Sequence, residues 1–257
     1  MTTAAIKVTQ TRVMTSEWIK LRSLRSTVLT LIATFAMVIG PGVLFCIFQP
    51  ANGQVGNPTG LSLRGIYLAQ LGIGVLGVLL VTGEYSTGMV RATMCSVPRR
   101  LPVLWAKLSV FALVAFATSS AAAFIGFIGG QAALSANHVA GASLSDPAVL
   151  RAVFGAGLYL AAVGLMGMAL GFVIRNAAGA VSILFGLLII LPVVAQALPL
   201  SWFPHVYPYL PSQAGQAIMQ VHKEGLSLAP WTGFGLFAAY TAGLIALGAL
   251  LLRRRDA

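Results

Sequence analysis

The chain has 257 residues, 58% of them hydrophobic and only 8% charged, with a formal net charge of +11. Soluble domains carry about 25% charged residues, so this composition excludes an ordinary soluble enzyme. The basic residues gather beside the ends of apolar runs, which ties the positive charge to lipid headgroups and membrane orientation and not to nucleic acid.

The apolar residues come in runs of about twenty, the length a helix needs to cross a hydrocarbon core. An outer-membrane barrel would instead show alternating segments of about ten residues. The expected fold is therefore all-α: one polytopic membrane domain over 1–257, with six transmembrane helices. Cys46 and Cys95 fall on opposite membrane faces in this scheme and cannot pair. Arg outnumbers Lys twelve to four, and Ala and Gly abound, which hints at a GC-rich bacterial source.

Residues 1–14 are polar and are expected to form a mobile tail, with no cleavable signal, because five basic side chains precede the first apolar run. From Ser16 to Thr27, apolar and basic groups alternate at near-helical spacing. This predicts a helix in the headgroup region, sharing a face among Trp18, Leu21 and Leu24 or Arg25. Trp18 would sit at the boundary, with Lys20, Arg22 and Arg25 toward phosphates. The first span is predicted at 28–48, kinked or loosened by Pro41, and the second at 64–82, where Gly72, Gly74 and Gly77 permit close helix contact.

Residues 83–100 form the longest polar interruption. They contain Glu84, Tyr85, Ser86, Thr87, Gly88, Arg91, Pro98, Arg99 and Arg100. Ser86 or Thr87 can cap a short helix and Pro98 stops it. The third span is predicted at 104–134, long enough to tilt or to extend into water. Asp146-Pro147 reads as a cap and first-turn pair for the fourth span, 149–174. Arg175-Asn176 turns the chain into the fifth, 178–198. Residues 198–211 carry four prolines among aromatics, too broken to cross and too apolar for a free loop. This segment is expected to be interfacial or re-entrant, with Trp202, Tyr207 and Tyr209 at headgroup depth. The sixth span is predicted at 231–252, before Arg253, Arg254 and Arg255.

Six spans place both termini on one side. Thirteen of the sixteen Lys and Arg residues then share that side, and only Arg64, Arg151 and Lys223 fall on the other. The positive-inside rule assigns the termini (1–27 and 253–257) and the loop 83–100 to the cytoplasm.

Catalytic patterns are absent. No Lys follows a Gly, so no phosphate-binding P-loop exists in the chain. His138, His205 and His222 are isolated, and no Cys or second His lies at metal-ligand spacing. No serine sits in a Gly-x-Ser-x-Gly elbow. No acid or base falls mid-span, where a proton-driven carrier would need one. Driving energy is therefore expected from outside the chain. Gln70, Thr118, Ser119, Ser120, Gln131 and Gln196 either line a substrate path or satisfy neighbouring helix backbones. Glu84 either pairs with Arg91 or Arg99 or meets a partner, and Arg99 and Arg100 meet lipid or a partner.

The loop resembles the cytoplasmic loop of type-2 ABC-transporter permeases, where an acidic residue, a Gly-Thr or Thr-Gly pair, a basic residue and a Pro-x-Arg or Pro-Arg ending recur. Here these are Glu84, Thr87-Gly88, Arg91 and Pro98-Arg99. The run Glu17-Trp18-Ile19-Lys20-Leu21-Arg22-Ser23 is similar to the Glu-Trp-x-Lys-Leu-x-Ser elbow segment of bacterial members. The resemblance implies an exporter permease subunit of the bacterial cell membrane that is not itself an enzyme. It implies a second permease subunit, identical or homologous, and two copies of a separate ABC ATPase that hold ATP and Mg. It also implies a coupling role for residues 83–100, an elbow role for Glu17, Trp18, Lys20 and Arg22, and an outer gate near Trp202, Tyr207 and Tyr209. Two other readings remain: a non-transporting sensor, scaffold or assembly factor of the same fold, and an ion-coupled carrier. The scarcity of polar groups at membrane depth points to a lipophilic or amphipathic cargo.

Overall fold

The structure, a computed structural model, describes residues 10–86, 100–197, 199, 202–223 and 225–254. All its regular elements are helical, with no strand among the described residues. In chain order they are α1 (Gln10–Ser23), α2 (Arg25–Ile47), α3 (Pro58–Ser62), α4 (Ile66–Ser86), α5 (Arg100–Ala136), α6 (Pro147–Ile174) and α7 (Ala177–Phe185). A π turn (Gly186–Ile190) leads into α8 (Leu191–Ala195). Then come α9 (Phe203–Val206), a 3-10 turn (Tyr207–Tyr209), α10 (Pro211–Gln216), a second 3-10 turn (Ala217–Met219) and α11 (Pro230–Arg254). Six helical stretches are long and apolar enough to cross a membrane: α2, α4, α5, α6, α7 with α8, and α11.

α6 is the axis of the bundle. Of its most apolar stretch 78% is buried, against 17% for α2 and 22% each for α7–α8 and α11. It packs against α4, α5 and α11, whereas α2 packs mainly on α5 and α4. Between lipid-facing helices apolar burial gives little driving force, so close van der Waals packing of small residues has to hold them. The sequence supplies them. A side chain on Gly77 would collide with the Gly164 carbonyl, and one on Gly167 with the Gly74 carbonyl, so α4 and α6 touch backbone to backbone.

Local chemistry sets the element ends. Asp146 accepts a hydrogen bond from the Ala148 amide at 2.8 Å, with Pro147 in the first turn as predicted. Asn57 caps α3 and Asn176 caps α7 by accepting from Gly60 and Gly179. Arg175 closes α6 in the left-handed region at φ 59°. Pro41 lies inside α2 and donates nothing to the Met37 carbonyl one turn earlier. Gly65 presses its backbone onto the Met37 and Val38 carbonyls there, an approach any side chain would block. Pro192 acts similarly on the fifth crossing. It removes a donor from the ladder, the chain takes up a π turn, and the Leu191 amide reaches back to Gly186.

One expectation needs correction, one boundary moves by three residues, and the third helix is, as expected, too long for a single crossing. The amino-terminal tail is not wholly irregular, because α1 begins at Gln10. The fifth crossing ends at Ala195 and not near residue 198. The third helix runs 37 residues, Arg100–Ala136. At about 1.5 Å per residue that is roughly 55 Å, far beyond a hydrocarbon core of about 30 Å. The broken segment after α8 folds back as short helices, and α10 packs against α11.

Candidate functional site

α1 lies across the start of α5. Val13 of α1 packs on Val103 and Ala106 of α5, and the Gln10 side chain donates to the Pro102 carbonyl at 3.1 Å. One helical turn beyond Val13 is Glu17, and one turn beyond Val103 is Lys107. The same four-residue step on both helices therefore brings these charges together. Lys107 Nζ is 2.8 Å from Glu17 Oε2 and 2.7 Å from Glu84 Oε1. Lys20 Nζ is 2.9 Å from Glu17 Oε1 and 3.3 Å from Glu84 Oε1. Two carboxylates and two ammonium groups thus form a neutral cluster joining α1, the end of α4 and the start of α5.

The cluster is shielded. Side-chain exposure is 5% for Glu17, 8% for Lys107, 17% for Glu84 and 32% for Lys20. Burial alone would raise the Glu17 pKa, but Lys107 and then Lys20 outweigh it and hold the carboxyl below its ordinary value. Burial would lower the Lys20 pKa, but Glu17 and Glu84 outweigh that and raise it. A cavity of about 420 Å³ lies beside the cluster, walled mainly by Leu21, Leu24, Leu76, Leu79, Leu80 and Phe111. On the same face the Arg175 guanidinium sits 5.1 Å from the centre of the Tyr85 ring. We call this face the basic end.

Of the sequence-predicted coupling residues, Glu84 belongs to the cluster and Tyr85 to the Arg175 contact. Ser86 ends α4, and Thr87, Gly88, Arg91, Pro98 and Arg99 lie outside the described residues. Glu84 meets Lys20 and Lys107, partners not considered from sequence. Of the pre-span residues, Glu17 and Lys20 are in the cluster. Lys20 turns to carboxylates and not to the phosphates expected for it. Trp18 and Arg22 are exposed, and so is Leu24, so the face sharing Trp18 and Leu24 is the outer one. Lys107 was missed. Its signal was its position inside an apolar helix, seven residues after Arg100.

The polar candidates separate. Gln70 is buried and accepts from the Tyr159 hydroxyl at 2.5 Å, and Gln216 donates to that same hydroxyl at 3.4 Å. Gln131 donates to Ser62 Oγ at 2.9 Å and to the Pro58 carbonyl at 3.3 Å, and accepts from the Ala142 amide. It fastens the loops at the opposite end. Ser119 is buried and Gln196 exposed at the close of α8. Trp202 and Tyr209 are exposed, and the Tyr209 carbonyl accepts from Tyr240 at 3.0 Å. Tyr207 stacks on Phe203 at 4.7 Å. Among the described residues no three His, Cys, Asp or Glu side chains gather as a metal site.

No protein-family model matches the chain, and no curated protein matches it in sequence.

Proposed function

We propose that the chain is the membrane-spanning permease subunit of an ATP-driven type-2 ABC exporter, with its basic end in the cytoplasm. The carrying observation is the ion cluster: Glu84 and Lys107 close the two helices between which residues 87–99 run, and Glu17 and Lys20 tie α1 to both. A force applied to that loop would move α4, α5 and α1 together. In this reading a second permease subunit completes the pathway. Two ATPase chains carrying ATP and Mg press on 83–100, and nucleotide state biases a two-state switch of the spans. The loop motif and the lack of any P-loop support the division of labour.

The test is reconstitution with a candidate ABC ATPase subunit. Glu84→Ala and Arg91→Glu should leave membrane insertion intact and lower both transport and permease-stimulated ATP hydrolysis. Unchanged transport and hydrolysis in both variants would remove the loop from the mechanism. Movement that follows a proton gradient and ignores ATP would replace the proposal with an ion-coupled carrier.

A further inference from the structure

At the end opposite the ion cluster, a second cavity of about 280 Å³ opens between α3, the start of α4 and the α9–α10 region. Its lining is amide-rich: Asn57, Gln213, Gln216 and Gln220. The phenols of Tyr67 and Tyr207 and the hydroxyl of Ser227 complete the polar set. No charged side chain lines it among the described residues. Leu63, Pro208, Met219 and Leu226 supply the apolar surface.

We propose that this chamber binds an uncharged ring of monosaccharide size bearing hydroxyl or amide groups. Three observations carry the assignment. The first is size: ligand pockets for drug-sized molecules run from about 300 to 1,000 Å³, so this one fits a single ring. The second is chemistry. Carboxamides both donate and accept, as do hydroxyls and acetamides, so the lining matches such a ligand group for group, and Arg151, whose guanidinium donates to the Gln220 carbonyl at 2.7 Å, does not line it. The third is unspent hydrogen-bonding capacity. Ser227 Oγ is buried without a partner. The Gln213 and Gln220 side chains form no hydrogen bond among the described residues, and Gln216 uses only its amide nitrogen, on Tyr159. A buried hydroxyl left unpaired is costly, and a ligand that pairs Ser227 Oγ recovers that cost, with the half-buried Gln213 and Gln220 amides beside it.

The site also has a route inward. Gln216 lies on the chamber wall, and Tyr159 links it to Gln70 within the helical core. Ring occupancy at Gln216 therefore bears directly on the contact between α4, α6 and α10. The site stands on its own lining, whatever drives the rest of the molecule.

The experiment is saturation-transfer NMR on the full chain in nanodiscs, with N-acetylglucosamine and glucose as probes and glucosamine and glucuronate as charged controls. The neutral sugars should receive magnetisation and the charged ones at least tenfold less. Gln213→Leu and Ser227→Leu, each eluting as the parent does on size exclusion, should weaken the neutral signal at least tenfold. No transfer to either neutral sugar, equal transfer to the charged ones, or transfer unchanged in both variants would overturn the proposal.

Discussion

Lys107→Met tests whether the ion cluster holds α1 in place. Lys107 bridges two carboxylates, at 2.8 Å and 2.7 Å, with 8% of its side chain exposed. Removing one partner of a buried pair costs about 3–5 kcal/mol, because the remaining charge is left uncompensated. Lys20 stays within 3.3 Å of both acids but is 32% exposed, so its compensation is partial. The lower figure, about 3 kcal/mol, is therefore expected. The cost falls on the docking of α1, since Glu17 is the more deeply buried acid. Hydrogen exchange of the amides in 10–23, in the full chain in micelles, reads that local opening. At 1.4 kcal/mol per factor of ten, protection should fall about 100-fold. Glu17→Gln removes the stranded charge, so the double variant should lose little beyond Lys107→Met alone, giving a coupling of about 2 kcal/mol. Additive effects within about 0.5 kcal/mol would refute the reasoning, since the two groups would then be neighbours without being energetically joined.

The pH dependence of the same protection follows from the two shifted groups. Glu17 titrates below its ordinary 4.5 when folded, so its contribution is present above about 4.5 and is lost as pH falls through the lower folded value. Lys20 titrates above 10.5, so its contribution is present below that value and lost as pH rises through the higher one. α1 protection should be level between these limits, and a step near neutrality would contradict the assignment. In the core, Tyr159→Phe removes the donor to Gln70 and the acceptor for Gln216, leaving buried amides short of partners. The expected loss is about 1–3 kcal/mol in SDS unfolding followed by circular dichroism, partly restored by adding Gln70→Leu. For helix packing, Gly77→Ala drives a methyl into the Gly164 carbonyl, whereas Gly235→Ala meets open space. The first variant should aggregate or unfold early on size exclusion in detergent and the second should match the parent.

The helices and the cluster differed in how far sequence exposed them. Apolar run length is a local property, and Asp146-Pro147 and Arg175-Asn176 carry their turn chemistry in adjacent residues. These boundaries therefore came through within a few residues. Glu17 and Glu84 stood out because acids are scarce here, five in the whole chain, and Lys20 because it belongs to the Glu17-Trp18-Ile19-Lys20 run. Their mutual contact did not stand out, because it depends on which face of α1 meets α5. Periodicity within 16–27 favoured the face of Trp18, the larger apolar group. The docking face is set instead by Val13, four residues before Glu17, matching Val103 four residues before Lys107. That match becomes visible only when two segments ninety residues apart are aligned, and neither is strongly amphipathic alone. A chain with so few charges that spends two acids and two lysines on one shielded cluster is using them to fix a junction. An exposed pair would contribute at most about 1 kcal/mol, and could slide without cost along a flexible tail. Partly shielded and cross-connected, the same four groups couple the positions of α1, α4 and α5, which any mechanism transmitted through the basic end requires.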